Sequence, residues 1–270
     1  MPVDQNTPIP SLGFGTWQIK GQDCVHGVRE ALNLGYRHID TAQAYENEAE
    51  VGQGLKASGV AREQIWLTTK VWISSLEPKA IVTSTEESLR KLGVDHVDLL
   101  LVHWPIFKQA TLAQILEAFV GLQERGLTRK IGVSNFPAAL LDQAAQLAPI
   151  FANQVEYHPY LDQSPVLEVC RKHKVHLTAY SPLARGQVLQ DPVLQEIGAK
   201  TGHSAAQVAL RWLVQQPGVS AIPKASSEKN RKANLAISEF EISADDMARV
   251  HALARPDGRV IDPPFAPNWD

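Results

Sequence analysis

The chain has 270 residues, of which 44% are hydrophobic and 20% are charged, and these values are ordinary for a globular protein. Its formal net charge of −3 excludes the strongly basic surface that is typical of proteins that bind nucleic acids or anionic membranes. The length suits one domain over residues 1–270, because α/β barrels commonly run to about 200–250 residues as a single unit.

Signals for targeting and for metal or redox chemistry are weak. Residues 1–10 have neither the charged start nor the apolar stretch of a signal peptide, and no apolar run approaches the roughly 20 residues that a membrane span needs. Cys24 and Cys170 match no zinc or C-x-x-C spacing, which is typical of idle thiols in a reducing compartment. We therefore expect a cytoplasmic monomer that binds no metal, nucleic acid or membrane.

Short apolar runs recur along the chain and alternate with amphipathic stretches. Several are nearly continuous, as in Val97–Val102, which is typical of strands that are buried on both faces of a parallel sheet. Eight strands are predicted in this way, at 13–17, 37–40, 65–70, 97–103, 130–134, 152–156, 176–180 and 219–222.

Helical spacing of apolar residues fills the gaps between these runs. Ser204 and Gln207 resemble a capping box before the apolar face of Val208–Val214. The alternation of eight strands with helices predicts a single (β/α)8 barrel, with a flat doubly wound sheet as the alternative. The other predicted helices lie at 24–34, 48–57, 78–92, 112–125, 137–147 and 165–173.

Polar residues end almost every predicted strand. In barrel enzymes the chemistry lies at the carboxyl ends of the strands, whereas a barrel that is only a scaffold needs no such residues there. The pattern therefore indicates an active site at this end. The residues concerned are Thr16, Trp17, Asp40, Thr41, Lys70, His103, Trp104, Ser134, Asn135, Gln154, Tyr180, Ser181 and Lys224.

Four of these positions suit proton transfer to a carbonyl oxygen. Taken singly, Asp40 resembles a cap, Lys70 a solvated lysine and His103 a core histidine, but neighbouring strands bring them together, and Tyr45 follows Asp40 closely. A lysine cation stabilises phenolate and lowers the tyrosine pKa from its usual value of about 10. The carboxylate orients the lysine, and the histidine places the carbonyl oxygen. A hydride must then come from a cofactor.

The tryptophans divide into two groups. Trp17, Trp72 and Trp104 lie at or just beyond strand ends, and we interpret them as an apolar wall around a substrate rather than as core packing. Trp66 lies within a predicted strand and Trp212 within a predicted helix, so both are assigned to the core.

Three other motifs have weaker support. Gly13 and Gly15 begin like a dinucleotide fingerprint, but the third glycine is missing and the motif opens a strand, which disfavours a Rossmann site. His173 and His176 have no further ligands nearby and indicate a helix end rather than a metal site. Ser134 lacks the second glycine of a nucleophile elbow.

The order of short blocks along the chain resembles that of the aldo-keto reductase family. Residues 262–270 are similar to the tail of bacterial members that reduce 2,5-diketo-D-gluconate and methylglyoxal. Each block is weak alone, but together they span nearly the whole chain in the family's order. The blocks are LGFGTW at 12–17, GYRHIDTA at 35–42, TKVW at 69–72, LVHW at 101–104, GVSNF at 132–136, NQVEY at 153–157, YSPL at 180–183 and IPK at 222–224.

The resemblance implies NADPH-dependent reduction of aldehydes and ketones to alcohols, with substrates such as methylglyoxal, diketo-sugar acids and aromatic aldehydes. It implies a catalytic tetrad of Asp40, Tyr45, Lys70 and His103, and a substrate site of Trp17, Trp72, His103 and Trp104. The implied cofactor residues are Trp17, Thr16 and Asp40, the last two near the nicotinamide ribose, Ser134, Asn135 and Gln154 at the carboxamide, Tyr180 under the ring, Ser181, Leu183 and Arg185 along the pyrophosphate, Lys224 and Ser226 at the 2′-phosphate, and Asn234 at the adenine.

The cofactor blocks depart from the family pattern at three positions. Ala225 replaces a usual serine, Asn230 a usual arginine that covers the adenine and 2′-phosphate, and Ala233 a usual glutamate. Lys229, Arg231 or Lys232 would have to compensate for the arginine. NADPH remains the expected cofactor, with NADH as a second one.

Two alternative functions remain open at this point. A barrel that binds nucleotide as a regulatory subunit would not need a proton donor, and a sugar-phosphate isomerase would need a glycine-rich phosphate loop that the sequence lacks. The loops after His103 and near the C-terminus are short, which favours an open pocket for small polar carbonyl compounds.

Overall fold

The computed structural model describes residues 9–269, and its centre is a parallel sheet of eight strands that pair in chain order. The last strand returns to the first, because Leu12 pairs with Ala221 and the Gly13 amide donates to the Ala221 carbonyl at 2.8 Å. The sheet is therefore closed, and the predicted (β/α)8 barrel is confirmed over the flat sheet. The strands are β1 (Phe14–Gly15), β2 (His38–Asp40), β3 (Trp66–Val71), β4 (Val97–Val102), β5 (Thr128–Ser134), β6 (Ile150–Glu156), β7 (His176–Tyr180) and β8 (Val219–Ala221).

Helices surround the barrel, and each predicted helix is present with ends shifted by at most three residues. Three further helices had no predicted range: α7, which Asp191 caps by accepting from the Val193 and Leu194 amides, α9, which Ser227 caps, and α10, which Ser243 caps. All three follow cap signals that the sequence carries. The helices are α1 (Gly21–Leu34), α2 (Glu48–Ser58), α3 (Pro78–Leu92), α4 (Leu112–Glu124), α5 (Ala138–Leu147), α6 (Ser164–His173), α7 (Pro192–Thr201), α8 (Ala205–Val214), α9 (Glu228–Leu235) and α10 (Ala244–His251).

The capping box predicted at Ser204 is present: its hydroxyl accepts from the Gln207 amide, and the Gln207 side chain accepts from the Ser204 amide. Trp66 and Trp212 are buried in the core as expected. No helix within residues 9–269 is both long and apolar enough to cross a bilayer.

Several strands turn polar side chains toward the inside of the barrel. Side chains two residues apart on a strand share a face. His38 on β2 contacts the Thr68 hydroxyl on β3 at 3.2 Å, and Ser220 on β8 donates to Thr178 on β7 at 3.2 Å. Two residues further along these strands, the same inward face carries the next layer of side chains toward the carboxyl end. This alternation delivers Asp40 and Lys70 to the barrel axis.

Space near the axis is limited, and glycine makes room for the neighbouring strands. A Cβ on Gly132 would lie 2.5 Å from the Ala152 carbonyl oxygen, and one on Gly13 would lie 2.7 Å from His38 Nδ1. These glycines are therefore needed for close approach inside the barrel, which explains why Gly13 is present without a dinucleotide fingerprint.

A buried carboxylate joins strands near the opposite, amino end of the barrel. Asp98 on β4 is fully buried, accepts from the Leu67 amide at 2.9 Å and pairs with Arg62 at 2.8 Å. Its contacts are far along the strands from the polar residues at the carboxyl end. Asp98 therefore supports the fold without touching that end.

Both cysteines are free and buried, Cys24 in α1 and Cys170 in α6. Burial raises the pKa of each thiol to about 12. Such thiols are weak nucleophiles at neutral pH, because the thiolate is the reactive form.

Candidate active site

A cleft of about 740 Å³ opens at the carboxyl ends of the strands. Its walls are mainly apolar, with a few polar groups that converge on one region, which is the usual character of a small-molecule site. Most of the predicted site residues line this cleft, namely Trp17, Asp40, Tyr45, Trp72, His103, Trp104, Ser134, Asn135, Gln154, Tyr180, Ser181, Leu183, Arg185 and Lys224.

The Lys70 ammonium organises the floor of the cleft. Its Nζ donates to Asp40 at 2.5 Å, to the Thr41 carbonyl at 2.9 Å and to the Tyr45 hydroxyl at 3.1 Å. The second oxygen of Asp40 accepts from Gln154, across the barrel, at 2.7 Å. Burial alone would lower the pKa of Lys70, but the adjacent Asp40 carboxylate outweighs it and raises that pKa. The lysine therefore stays charged although it is fully buried.

Tyr45 ends a short 3-10 turn that directly follows β2. Burial raises the pKa of Tyr45 above its ordinary value, and this effect outweighs the opposing effect of the Lys70 cation. The expected net lowering of the Tyr45 pKa by lysine is therefore not what the structure gives. The phenol is fully protonated at neutral pH, which suits a group that gives a proton away.

His103 faces Tyr45 across the cleft. The two rings meet edge to face with centroids 5.8 Å apart, and Trp72 packs against the other side of the imidazole at 5.0 Å. Burial, reinforced by the Lys70 charge, lowers the pKa of His103 well below its usual value. The imidazole is therefore neutral at pH 7 and offers one N–H donor beside the Tyr45 hydroxyl.

The far wall of the cleft is held by hydrogen bonds among strand ends. Asn135 has a left-handed backbone with a φ of 63°, which asparagine tolerates better than most residues. The side-chain NH₂ group of Asn135 donates to the main-chain carbonyl of His103 at 3.0 Å, and its side-chain oxygen accepts from the Tyr180 hydroxyl at 2.6 Å. The Ser134 hydroxyl donates to the Gln154 carbonyl at 2.8 Å. These bonds fix the Tyr180 ring as one wall of the cleft.

Two cations extend the cleft beyond Tyr180. The Arg185 guanidinium lies 5.7 Å from the centre of the Trp17 ring, and Lys224 follows β8. Neither has an ion-pair partner among residues 9–269. Unpaired cations on the wall of a cleft in a chain of net charge −3 favour a bound anion such as a phosphate.

Four predicted site residues do not line the cleft. Lys70 lies beneath it, and Thr16 is buried behind it, where its hydroxyl donates to the Asp40 carbonyl at 3.0 Å. Ser226 is exposed beyond Lys224, and Asn234 is buried beside the Tyr36 hydroxyl.

The residues that were expected to compensate for Asn230 are mostly engaged elsewhere. Arg231 is buried, donates to the Ala225 carbonyl at 2.8 Å and pairs with Glu30. Lys232 pairs with Glu228 at 2.6 Å. Of the three candidates, Lys229 alone has no ion-pair partner within the described chain.

The residues that cover the substrate side of the cleft were not predicted. Phe265 meets Trp72 at 5.9 Å and Trp104 at 5.4 Å, and Trp269 meets Trp104 at 6.2 Å. Ile261 lines the cleft directly. This tail has no periodicity, and two large aromatic residues in a proline-rich end were its only signal. The expected open pocket is therefore partly covered by the tail.

The supporting role of Gln43 was also not predicted. The Gln43 side chain accepts from the Trp72 amide at 2.9 Å and donates to the Ser88 hydroxyl at 3.1 Å. It therefore connects the turn that carries Tyr45 to the loop that carries Trp72.

Among residues 9–269, no group of three histidine, cysteine or carboxylate side chains is placed to hold a metal ion.

The chain is similar to known proteins over most of its length. The aldo/keto reductase family model matches residues 11–255. A methylglyoxal reductase, DkgB, from Escherichia coli O157:H7 is 39% identical over 266 residues, covering 97% of this chain and 99% of the relative. An oxidoreductase of Bacillus subtilis, YtbE, is 39% identical over 91% of this chain and 89% of its own length.

Solved structures of aldo/keto reductases and of a related reductase are also similar to this chain. A candidate 2,5-diketo-D-gluconic acid reductase B superposes with a TM-score of 0.96 at 47% identity, covering 100% of this chain and 97% of that chain. An aldo/keto reductase from Brucella melitensis superposes with a TM-score of 0.85 at 40% identity, covering 91% of this chain and 95% of that chain.

The neutral state of His103 gives a prediction for the pH dependence of stability. Burial lowers the pKa of His103, and it lowers the pKa values of His38 to about 3 and of His176 to about 4. Below pH about 6.5 the unfolded chain binds protons that the folded chain does not, so stability falls as the pH falls. Replacing His103 by Gln removes one such proton and should reduce the slope below pH about 6.5, by at most about 1.4 kcal/mol per pH unit.

Urea unfolding at a series of pH values measures this slope. His26→Gln, which removes a solvent-exposed imidazole, is the matched control and is expected to keep the wild-type slope. A His103→Gln slope equal to the wild-type slope would show that His103 is protonated in the folded state.

Proposed function

Because the chain belongs to the aldo/keto reductase family, we propose that it reduces aldehydes and ketones to alcohols with NADPH and with Tyr45 as the proton donor. The observation that carries this proposal is the buried Lys70 ammonium 3.1 Å from the Tyr45 hydroxyl, at the floor of a cleft of about 740 Å³. A barrel that only binds nucleotide has no use for this arrangement.

The cleft residues fit a nicotinamide dinucleotide. The Tyr180 ring provides a flat wall for the nicotinamide, and Ser134, Asn135 and Gln154 provide hydrogen-bonding groups for its carboxamide. Beyond Tyr180, the proposed pyrophosphate contacts are Ser181, Leu183 and Arg185, and Lys224 with Ser226 would meet the 2′-phosphate. Thr16, Trp17 and Asp40 would support the ribose and Asn234 the adenine. When bound, NADPH supplies the hydride to the carbonyl carbon.

The chain's own residues manage the proton. His103, which is neutral, donates a hydrogen bond to the substrate carbonyl oxygen and places it beside Tyr45. The Tyr45 hydroxyl gives its proton to this oxygen as negative charge develops on it. Lys70 stabilises the phenolate that remains, since its ammonium donates directly to the Tyr45 oxygen. Asp40 holds Lys70 charged and in place.

The walls of the cleft favour small carbonyl compounds. Trp17, Trp72 and Trp104 line it, and the Phe265 ring packs on two of them, so the space beside His103 is narrow and apolar. Names of relatives refer to methylglyoxal and 2,5-diketo-D-gluconic acid. We therefore propose 2-oxoaldehydes, diketo-sugar acids and aromatic aldehydes as substrates.

The first test follows NADPH absorbance with methylglyoxal and a nitrobenzaldehyde. Tyr45→Phe is expected to lower kcat by at least about a hundredfold, because general acid catalysis contributes that much. Its Kd for NADPH, measured by protein fluorescence, should stay at the wild-type value. Tyr157→Phe is the matched control, since it removes a buried hydroxyl that bonds Gln216 at 2.9 Å, outside the cleft, and should keep full activity.

Two results would contradict the proposal. Tight NADPH binding by the wild type without turnover of any carbonyl compound would indicate a regulatory nucleotide-binding barrel instead. Near-normal turnover by Tyr45→Phe would remove this tyrosine from the role of proton donor.

Cofactor preference has its own test at Lys224. Replacing Lys224 by Ala should raise KM for NADPH about tenfold, which corresponds to the loss of about 1.4 kcal/mol from one charged contact, and should leave KM for NADH unchanged. Lys232→Ala is the control, because Lys232 is paired with Glu228 and should not affect either cofactor. An unchanged preference in Lys224→Ala would place the recognition of the 2′-phosphate elsewhere, with Lys229 as the next residue to test.

A further inference from the structure

Glu156, the last residue of β6, is a buried carboxylate that the tetrad does not use. One oxygen accepts from the Val260 amide at 2.7 Å and lies 2.8 Å from His158 Nε2. The other accepts from the Ile261 amide at 2.9 Å and lies 3.8 Å from the Arg259 guanidinium. Since a carboxylate only accepts, the two amides and His158 Nε2 act as donors toward it, and the Arg259 guanidinium forms an ion pair with it. This carboxylate is fully satisfied by its neighbours.

Two of the three donors, the Val260 and Ile261 amides, and the paired Arg259 guanidinium belong to one stretch of chain near the C-terminus, residues 259–261. This stretch leads directly into the residues that cover the substrate side of the cleft. Ile261 lines the cleft, and Phe265 packs on Trp72 and Trp104. The Arg259 guanidinium also lies 3.6 Å from the centre of the Trp269 ring. The position of the whole C-terminal segment (residues 259–269) therefore depends on where Glu156 holds its first three residues.

Glu156 is also connected to Tyr180, whose ring is the proposed wall for the nicotinamide. It pairs with Tyr180 in the register of β6 and β7, and the Tyr157 amide donates to the Tyr180 carbonyl at 3.3 Å. A rigid strand end thus connects the Tyr180 ring with the segment that covers the substrate. Groups that are fixed to the same strand end keep a constant separation, which is what positioning of a substrate against a cofactor requires.

The approach of the chain to Glu156 leaves little freedom. The Arg255 amide donates to the Tyr160 carbonyl at 3.1 Å, and a Cβ on Gly258 would overlap the same carbonyl oxygen. Glycine is therefore required at 258 for the chain to reach the carboxylate. This close approach indicates that the attachment of residues 259–261 is built into the fold.

We propose that Glu156 is a positioning residue for the carbonyl substrate, because its carboxylate fixes residues 259–261 and thereby sets Ile261 and Phe265 over the substrate side of the cleft. The proposal rests on the reductase function proposed above. The role requires a carboxylate: a glutamine has one acceptor oxygen, and its NH₂ group would face a donor on the remaining side. A donor without an acceptor in a buried site is unfavourable.

The test is Glu156→Gln in the full-length protein. We expect the Val260 and Ile261 amides to exchange with deuterium at least tenfold faster, which peptide-resolved mass spectrometry measures without any substrate. KM for a nitrobenzaldehyde should rise about tenfold, whereas kcat at saturation and Kd for NADPH should change less than twofold. Glu156→Asp keeps the charge and should recover part of the lost KM.

Two further variants separate positioning from a general loss of stability. Asp98→Asn weakens another fully buried carboxylate, far from the cleft, and should lower Tm without altering KM or exchange at residues 259–261. Phe265→Ala should itself raise KM, and adding Glu156→Gln to it should cause little further increase, because both changes remove the same cover.

Unchanged exchange at Val260 and Ile261 in Glu156→Gln would overturn the proposal, as would additive effects of Glu156→Gln and Phe265→Ala on KM. A fall in Tm with an unaltered KM would also overturn it. If the wild type reduces no carbonyl compound, the proposed function fails, whereas the exchange result still decides whether Glu156 holds the segment.

Discussion

The buried ion pair between Lys70 and Asp40 is the interaction on which the rest of the site depends. Removal of an ammonium and a carboxylate from water costs several kcal/mol for each ion, and only close, fully hydrogen-bonded geometry offsets this. The barrel meets the requirement, because β2 and β3 are neighbours and each turns one of these side chains inward. The Thr41 carbonyl, Gln154 and Tyr45 then occupy the hydrogen-bonding positions that remain around the pair. Tyr45, the proposed proton donor, is thus placed by the need to satisfy two buried charges.

A second buried carboxylate, Glu156, performs a comparable task on β6. Asp40 orients a lysine inside the barrel, whereas Glu156 orients main-chain amides that arrive from the C-terminus. Both lie at the carboxyl ends of strands, where backbone register fixes their positions to within the tolerance that catalysis needs. Both carboxylates are consequently held at strand ends, although most of the residues that line the cleft lie in the segments that follow the strands.

The sequence was sufficient for the features that follow from strand register. Short apolar runs located the strands. The polar residues at the ends of these runs indicated Asp40, Lys70 and His103, because neighbouring strands end at one face of the barrel. It did not reveal Phe265, Trp269 or the role of Glu156. Those positions arise from a tail without periodicity that contacts strands more than 100 residues earlier in the chain. Helices α7 and α10 were also missed, although Asp191 before Pro192 and Ser243 before Asp246 carry ordinary N-cap signals.

The two ends of the proposed cofactor site also differ in how far the strands of the barrel fix their residues. Of the groups near the proposed nicotinamide position, Ser134, Asn135 and Gln154 are buried, and hydrogen bonds hold them to neighbouring strand ends, as Asn135 is held to His103 and Tyr180. The groups near the proposed 2′-phosphate lie on an exposed loop and on α9, where Arg231 is engaged with Glu30 and the Ala225 carbonyl. A phosphate at that end would meet flexible lysines, which act as point charges and lack the planar fork of arginine. The proposed phosphate end is therefore the part of the cleft in which exposed side chains outweigh the barrel.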